Sequence, residues 1–161
     1  ANIVECCRVA LRLREMFGHF GVQSFPKTSG SKGMQVYVPL NRKDVSYDVT
    51  KPLAKAIAQL LGKQTPDQVV SKMKKVEREG KVMVDWSQNH QSKTTIAVYS
   101  LRARPRPTVS TPITWEEVEA CAENEDPGSL VFEADEVLQR IEDRGDLFAP
   151  VLELQQELPE L

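Results

Sequence analysis

Residues 27–33 read KTSGSKG, two glycines around a Ser-Lys pair, and the alternating run MQVYVPL follows. Gly30 and Gly33 allow backbone N–H groups to turn inward in conformations that other residues avoid. Ser29 and Ser31 add hydroxyl donors, and Lys32 adds a charge. Such a set suits a phosphate group. It departs from the P-loop rule, because Lys32 is followed by Gly33 rather than Ser or Thr. The same residues would also make an ordinary polar hairpin turn.

A second candidate is Asp85, which closes the apolar run Val82, Met83, Val84. A carboxylate at the end of a buried strand is an oxygen ligand for Mg²⁺ or Mn²⁺, and equally a turn former. A third is the polar and basic set Gln88, Asn89, His90, Lys93, Arg102, Arg104 and Arg106. Amides and guanidiniums suit phosphates and base edges, and also a plain solvated face. His90 reads as a loop residue, Trp86 as packing and Trp115 as a helix anchor. No Ser-His-Asp or Cys-His arrangement is arguable, and Glu116, Glu117 and Glu119 read as a helix-start and surface set. Cys6, Cys7 and Cys121 have no CxxC spacing, so they read as buried thiols rather than zinc ligands or disulfides.

The 161 residues suffice for one domain with a core, and 27% charged content is ordinary for a globular chain. No apolar run is long enough to span a membrane and no signal pattern opens the chain, which favours a cytoplasmic protein. The net charge of −2 hides an asymmetry: residues 1–106 carry +11 and residues 107–161 carry −13. A basic segment of that size suggests a polyanionic partner, unless the acidic part folds back onto it.

The elements that must position these residues follow from periodicity. Ile3, Cys7, Ala10, Leu11, Leu13, Phe17 and Phe20 mark an amphipathic helix over 2–18, ended by Gly18 and Gly21. VQSF and MQVYVPL read as a hairpin around the glycine loop. Val49, Leu53, Ala56, Ile57, Leu60 and Leu61 mark a second helix over about 46–62. Thr65-Pro66 reads as the start of a basic helix that stops at Gly80. KVMVDW is read as a buried strand with TTIAVYS as its antiparallel neighbour. RARPRPTVSTP is extended, Thr114 to Glu117 is a capping box, and a last helix covers about 134–145. The sum is an α+β fold with a small, mostly antiparallel sheet packed with helices. Residues 1–149 form its body, and 150–161 an acidic tail, helical or frayed.

Three long motifs, SFPKTSGSKGMQVYVPL, VMVDWSQN and YSLRARPRPTVSTPITWEEVE, come in one order and spacing. Together they resemble the primase-polymerase domain of bacterial ligase D and its stand-alone actinobacterial relatives, in the archaeo-eukaryotic primase superfamily. The resemblance runs from Ile3 to about Phe148. It implies a nucleotidyltransferase that extends DNA or RNA from nucleoside triphosphates, in non-homologous end joining. It implies that Ser29 to Gln35 hold the triphosphate, with Ser29 and Lys32 on the phosphates, Gln88 near the nucleotide and Arg102 on the triphosphate. It makes Asp85 a catalytic ligand of Mn²⁺ or Mg²⁺ in a two-metal in-line displacement.

Gln35 stands where the family commonly has His, and Val98 where it commonly has proline. The family's Asp-x-Asp pair belongs just before the helix that opens this chain. The chain therefore reads as the second half of a catalytic domain, with an incomplete two-metal site. The expectation is that it is inactive alone and self-associates through the surface so exposed. The alternative is a non-catalytic nucleotide- or nucleic-acid-binding module, or a structural fragment, acting with a partner chain.

Overall fold

The computed structural model describes residues 2–71, 80–90 and 92–158. They form two compact bodies. One comprises residues 42–95; the other comprises residues 2–41 with 96–158. The fold is mixed α+β, and its described strands are short.

The larger body starts with helix α1 (Ile3–His19). Asn2 caps it: its side chain accepts from Val4 N and Glu5 N, while Glu5 accepts from the Asn2 N–H. The hairpin follows as β1 (Phe25–Thr28) and β2 (Met34–Tyr37), antiparallel, with Lys27 opposite Gln35. The expected hairpin is therefore present, with its first strand placed later than VQSF. Helix α3 (Trp115–Asn124) starts at the expected capping box, Thr114 with Glu117. A 3-10 turn (Pro127–Leu130), α4 (Ala134–Arg144) and α5 (Ala149–Glu153) complete this body.

Its core joins α1 to α3, through Val4, Cys7 and Ala10 against Val118 and Cys121, with Val109, Ile113 and Phe132 beside them. Cys7 and Cys121 are buried, Cys6 is half-buried and all three are free thiols. Burial pushes the Cys7 thiol well up, with the neighbouring Cys121 adding to it. Trp115 does anchor its helix, since its Nε1 donates to Ser24 O at 2.8 Å. In the irregular segment after α5, Gln156 donates to Gln23 O and Pro39 O at 3.0 and 2.8 Å.

The smaller body is built on helix α2 (Tyr47–Gln64), capped by Ser46. Leu53, Ile57 and Leu61 are buried, four residues apart, with Ala58 beside them. The apolar face is narrower than the sequence suggests, because Val49 and Leu60 are exposed.

Two expectations fail here. Thr65 ends α2 instead of starting a helix: its Oγ1 and its N–H both donate to Leu61 O, at 2.8 and 2.9 Å. A turn leads from it into β3 (Val69–Val70). The remainder of that expected basic helix, 72–79, lies outside the described residues. The second failure concerns β4 (Val82–Met83), which pairs parallel to β3. TTIAVYS is not a strand, so it does not supply the expected antiparallel neighbour. Among the described residues no helix is long and apolar enough to cross a membrane.

Glu117 does more than start a helix. It accepts from Arg140 through both carboxylate oxygens, at 2.8 and 2.9 Å, and from Arg144 at 3.4 Å. It is half-buried. Burial acts to raise its carboxyl, but the Arg140 and Thr114 hydrogen bonds and the charges of Arg140 and Arg144 outweigh this and hold it below the usual 4.5. A lowered carboxyl contributes stability that is full above 4.5 and is lost as pH falls through its folded value. Acid unfolding followed by circular dichroism should therefore show a smaller stability loss below pH 4.5 for Glu117→Gln than for wild type.

Candidate functional site

The glycine loop is the turn of the β1–β2 hairpin, and its own bonds shape it. Ser29 N donates to Gly33 O at 2.9 Å, closing the turn. Ser29 Oγ donates to the same carbonyl at 3.0 Å and accepts from Ser31 N and Gly33 N at 3.1 and 3.2 Å. Ser29 thus satisfies two of the inward N–H groups itself. The N–H groups of Gly30 and Lys32 have no hydrogen-bond partner among the described residues. Lys32 is exposed at the tip.

The segment from Leu101 to Pro112 holds this loop from one side. It was expected to be extended and irregular; it makes antiparallel bridges Leu101 to Val109, Lys27 to Pro112 and Thr108 to Glu133. Arg102 donates through Nη1 to Ser29 O at 3.3 Å, and Thr108 Oγ1 donates to Gly30 O. Arg104 donates to Ser31 Oγ. Arg106 points elsewhere, into a two-pronged pair with Glu133 at 3.0 and 3.2 Å.

Gly30 has no substitute at this position. Its φ is +76°, and a Cβ there would lie 2.8 Å from Arg102 Cγ and 2.9 Å from both Ser110 N and Val109 C. Two of those atoms are backbone and cannot swing away.

Beneath the loop sits Lys27, with none of its surface exposed. Its Nζ donates to Ile96 O at 3.1 Å and to Ser110 Oγ, and stands 5.8 Å from the centre of the Tyr37 ring. Ser110 Oγ passes the bond on to Thr28 O at 2.7 Å. Burial, and then the charge of Arg102, bring the Lys27 amine down to about 8. Opposite it on β2, Gln35 has a buried Oε1 with no hydrogen-bond partner. Sequence reasoning passed over Lys27, since nothing in its type or spacing marks it as buried.

Asp85 and Gln88 lie in the smaller body, just after β4. Asp85 is exposed. Its Oδ1 accepts from Ser87 N at 3.0 Å and from Ser87 Oγ at 2.6 Å, and its Oδ2 accepts from Gln88 Nε2 at 3.3 Å. Trp86 packs as expected: its Nε1 donates to Ser71 O at 3.2 Å, and Lys51 and Lys55 lie over its ring. His90 is a loop residue whose Nδ1 meets Ser92. Among the described residues no three His, Cys, Asp or Glu side chains cluster as a metal site would require. Asp85 can offer one ligand, but these residues do not by themselves fit a divalent cation.

The expected residues thus fall into two groups. Ser29, Lys32, Gln35 and Arg102 share the larger body, with Arg104 as a further member at the loop. Asp85 and Gln88, in contact with each other, share the smaller one, as do Asn89, His90 and Lys93.

Comparison with known proteins adds to this geometry. Residues 1–148 match the family described as LigD, primase-polymerase domain. The chain is 42% identical over 150 residues to the multifunctional non-homologous end joining protein LigD of Mycolicibacterium smegmatis, covering 93% of this chain and 19% of that protein. It is 47% identical over 145 residues to the protein of that description from Mycobacterium bovis, covering 90% and 18%. Among solved structures it is similar to the polymerase domain from Mycobacterium tuberculosis ligase D in complex with DNA. That likeness has a TM-score of 0.85 at 43% identity, over 97% of this chain and 52% of that one. The chain therefore spans under a fifth of these curated relatives and about half of the solved domain.

Gly30→Ala should lower the unfolding free energy by about 1–3 kcal/mol, the usual cost of strained backbone. Gly33→Ala, with open space at its Cβ and no positive φ, should stay within about 1 kcal/mol of wild type. Chemical denaturation of the two variants checks this pair.

Proposed function

Since this chain belongs to the LigD primase-polymerase domain family, we propose that its glycine loop binds the phosphates of a nucleoside triphosphate for nucleotidyl transfer in DNA end joining. The observation that carries the reading is the pair of unpartnered N–H groups at Gly30 and Lys32, framed by Lys32 and Arg102. Unpartnered N–H donors and nearby cations are what a phosphate requires. Ser29 would change partners: its hydroxyl and the N–H groups it now satisfies would turn to the anion. Arg102 would hold both the loop carbonyl and a phosphate oxygen. Gln35, with a buried unpartnered oxygen, and Gln88 are assigned to the nucleotide as well.

Asp85 is assigned as one ligand of Mg²⁺ or Mn²⁺, with further ligands coming from outside the described residues. A divalent ion held there would act as a Lewis acid on its oxygen ligands. Ser87 and Gln88 already fix the Asp85 carboxylate, so its oxygens are oriented before any ion arrives. With one such carboxylate, we expect the 161 residues by themselves to bind nucleotide without extending a primer.

DNA is the proposed second partner, as it is for the solved polymerase domain. Part of the +11 charge of residues 1–106 is met by the acidic part, Arg8 by Glu125, Arg14 by Glu119 and Arg106 by Glu133; the remaining excess supports this, and the binding should weaken steeply as salt rises.

The test is titration of a labelled nucleoside triphosphate with Mn²⁺. Wild type should bind saturably. Lys32→Ala removes an exposed side chain without touching the loop's own bonds, and should weaken binding about tenfold, the worth of one charge-assisted contact. Arg102→Ala should weaken it at least as much. Equal binding by all three proteins would remove the loop from the reading.

A further inference from the structure

Among the described residues, no carboxylate accompanies the buried Lys27 amine. The groups around it come from three directions. From β2 they are the Tyr37 ring and neutral Gln35. From residues 96–102 they are the Ile96 carbonyl and the Arg102 guanidinium. The segment from Thr108 to Pro112 brings only neutral side chains, with Ser110 the hydrogen-bond partner. The charged or titratable members of this set are Arg102, a like charge, and Tyr37. None is a carboxylate.

A buried ammonium costs free energy unless an opposite charge accompanies it. Hydroxyl and carbonyl acceptors satisfy its N–H bonds but do not neutralise it. A neutral amine would fit this pocket as well, because it can still donate to Ser110 and Ile96. The structure is therefore balanced between two protonation states, in a pocket directly under the phosphate loop. The chain links the two closely: Lys27 bonds Ser110, Ser110 bonds Thr28 O, and Ser29 begins the loop. Arg102, whose charge bears on Lys27, is also the guanidinium bound to Ser29 O.

We propose that Lys27 is a positioning residue coupled to the ligand by a proton: a polyphosphate in the loop binds together with protonation of the buried Lys27 amine. This rests on the phosphate-binding reading above. The anion offsets the repulsion from Arg102 and supplies the missing counter-charge. The amine gains one proton from solvent, and no covalent bond changes. Lys27 touches neither the substrate nor a reacting atom; it acts through Ser110 and Arg102 on the shape and potential of the loop.

Burial, then the Arg102 charge, bring the amine down to about 8 without ligand. Above that value the amine is mostly neutral without ligand, so binding must take up a proton, and affinity must fall as pH rises.

The experiment is calorimetric titration of MgATP into the chain at a pH about one half unit above 8, in buffers of differing ionisation enthalpy. The expected result for wild type is uptake of a fraction of a proton, on the order of one half, per nucleotide bound. Lys27→Arg keeps the charge and cannot titrate, so it should bind with no uptake. A parallel measurement needs no variant: the ¹³Cε shift of Lys27 against pH, which should move its midpoint upward when MgATP is present. Saturable binding without proton uptake, or an unmoved Lys27 midpoint, overturns this inference and leaves phosphate binding intact. Absence of any saturable binding by wild type overturns the phosphate reading and this inference with it.

Discussion

The seam between β1 and the segment from Thr108 to Pro112 is the constraint that places everything near the glycine loop. Thr28 N donates to Thr111 O at 2.8 Å, Thr111 N donates back to Thr28 Oγ1 at 3.0 Å, and Ser110 Oγ reaches Thr28 O. These groups are buried, so each bond left unmade would cost about 1–3 kcal/mol. The seam runs straight into the loop, where Gly30 lies too close to Ser110 and Val109 for any side chain. Arg102 is carried to Ser29 by the same strand pair, since its N–H donates to Thr108 O at 2.8 Å. One set of backbone bonds therefore fixes the donor loop, the guanidinium and the buried lysine together.

Local features were legible in the sequence because local physics makes them. The hairpin follows from alternation on either side of a Gly-Ser turn. The α3 start follows from Thr114 and Glu117 alone, and α1 from its apolar repeat. Thr65-Pro66 misled because the same pair that can open a helix also closes one, and here Thr65 bonds backward to Leu61. The parallel pairing of Val69–Val70 with Val82–Met83 has no local signature; it depends on how the chain returns. Lys27 was hidden for a related reason. Its partners lie 69 and 83 residues away, so nothing in KTSGSKG reveals that the first lysine is buried and the second exposed. Glu117 was read as surface because Arg140, 23 residues on, decides its environment.

The two bodies divide the chemistry in a way that the motifs alone did not show. The donor loop and its guanidinium belong to one; the carboxylate and its amide neighbour belong to the other. Each group is ordered internally, Ser29 and Arg102 by the seam, and Asp85 by Ser87 and Gln88. Such internal order lowers the cost of organising donors around a ligand. The loop is the better equipped of the two, since it offers unpartnered donors and positive charge, whereas Asp85 stands alone as a ligand among the described residues.

The central claim is that the loop N–H groups receive a phosphate. Amide chemical shifts of the ¹⁵N-labelled chain, followed during addition of ATP, test it most directly. The account predicts that Gly30 and Lys32 amides move first and furthest, with Ser31 and Gly33 following as Ser29 changes partners. Saturable shifts confined to other residues, with the amides from Ser29 to Gly33 unmoved, would contradict it.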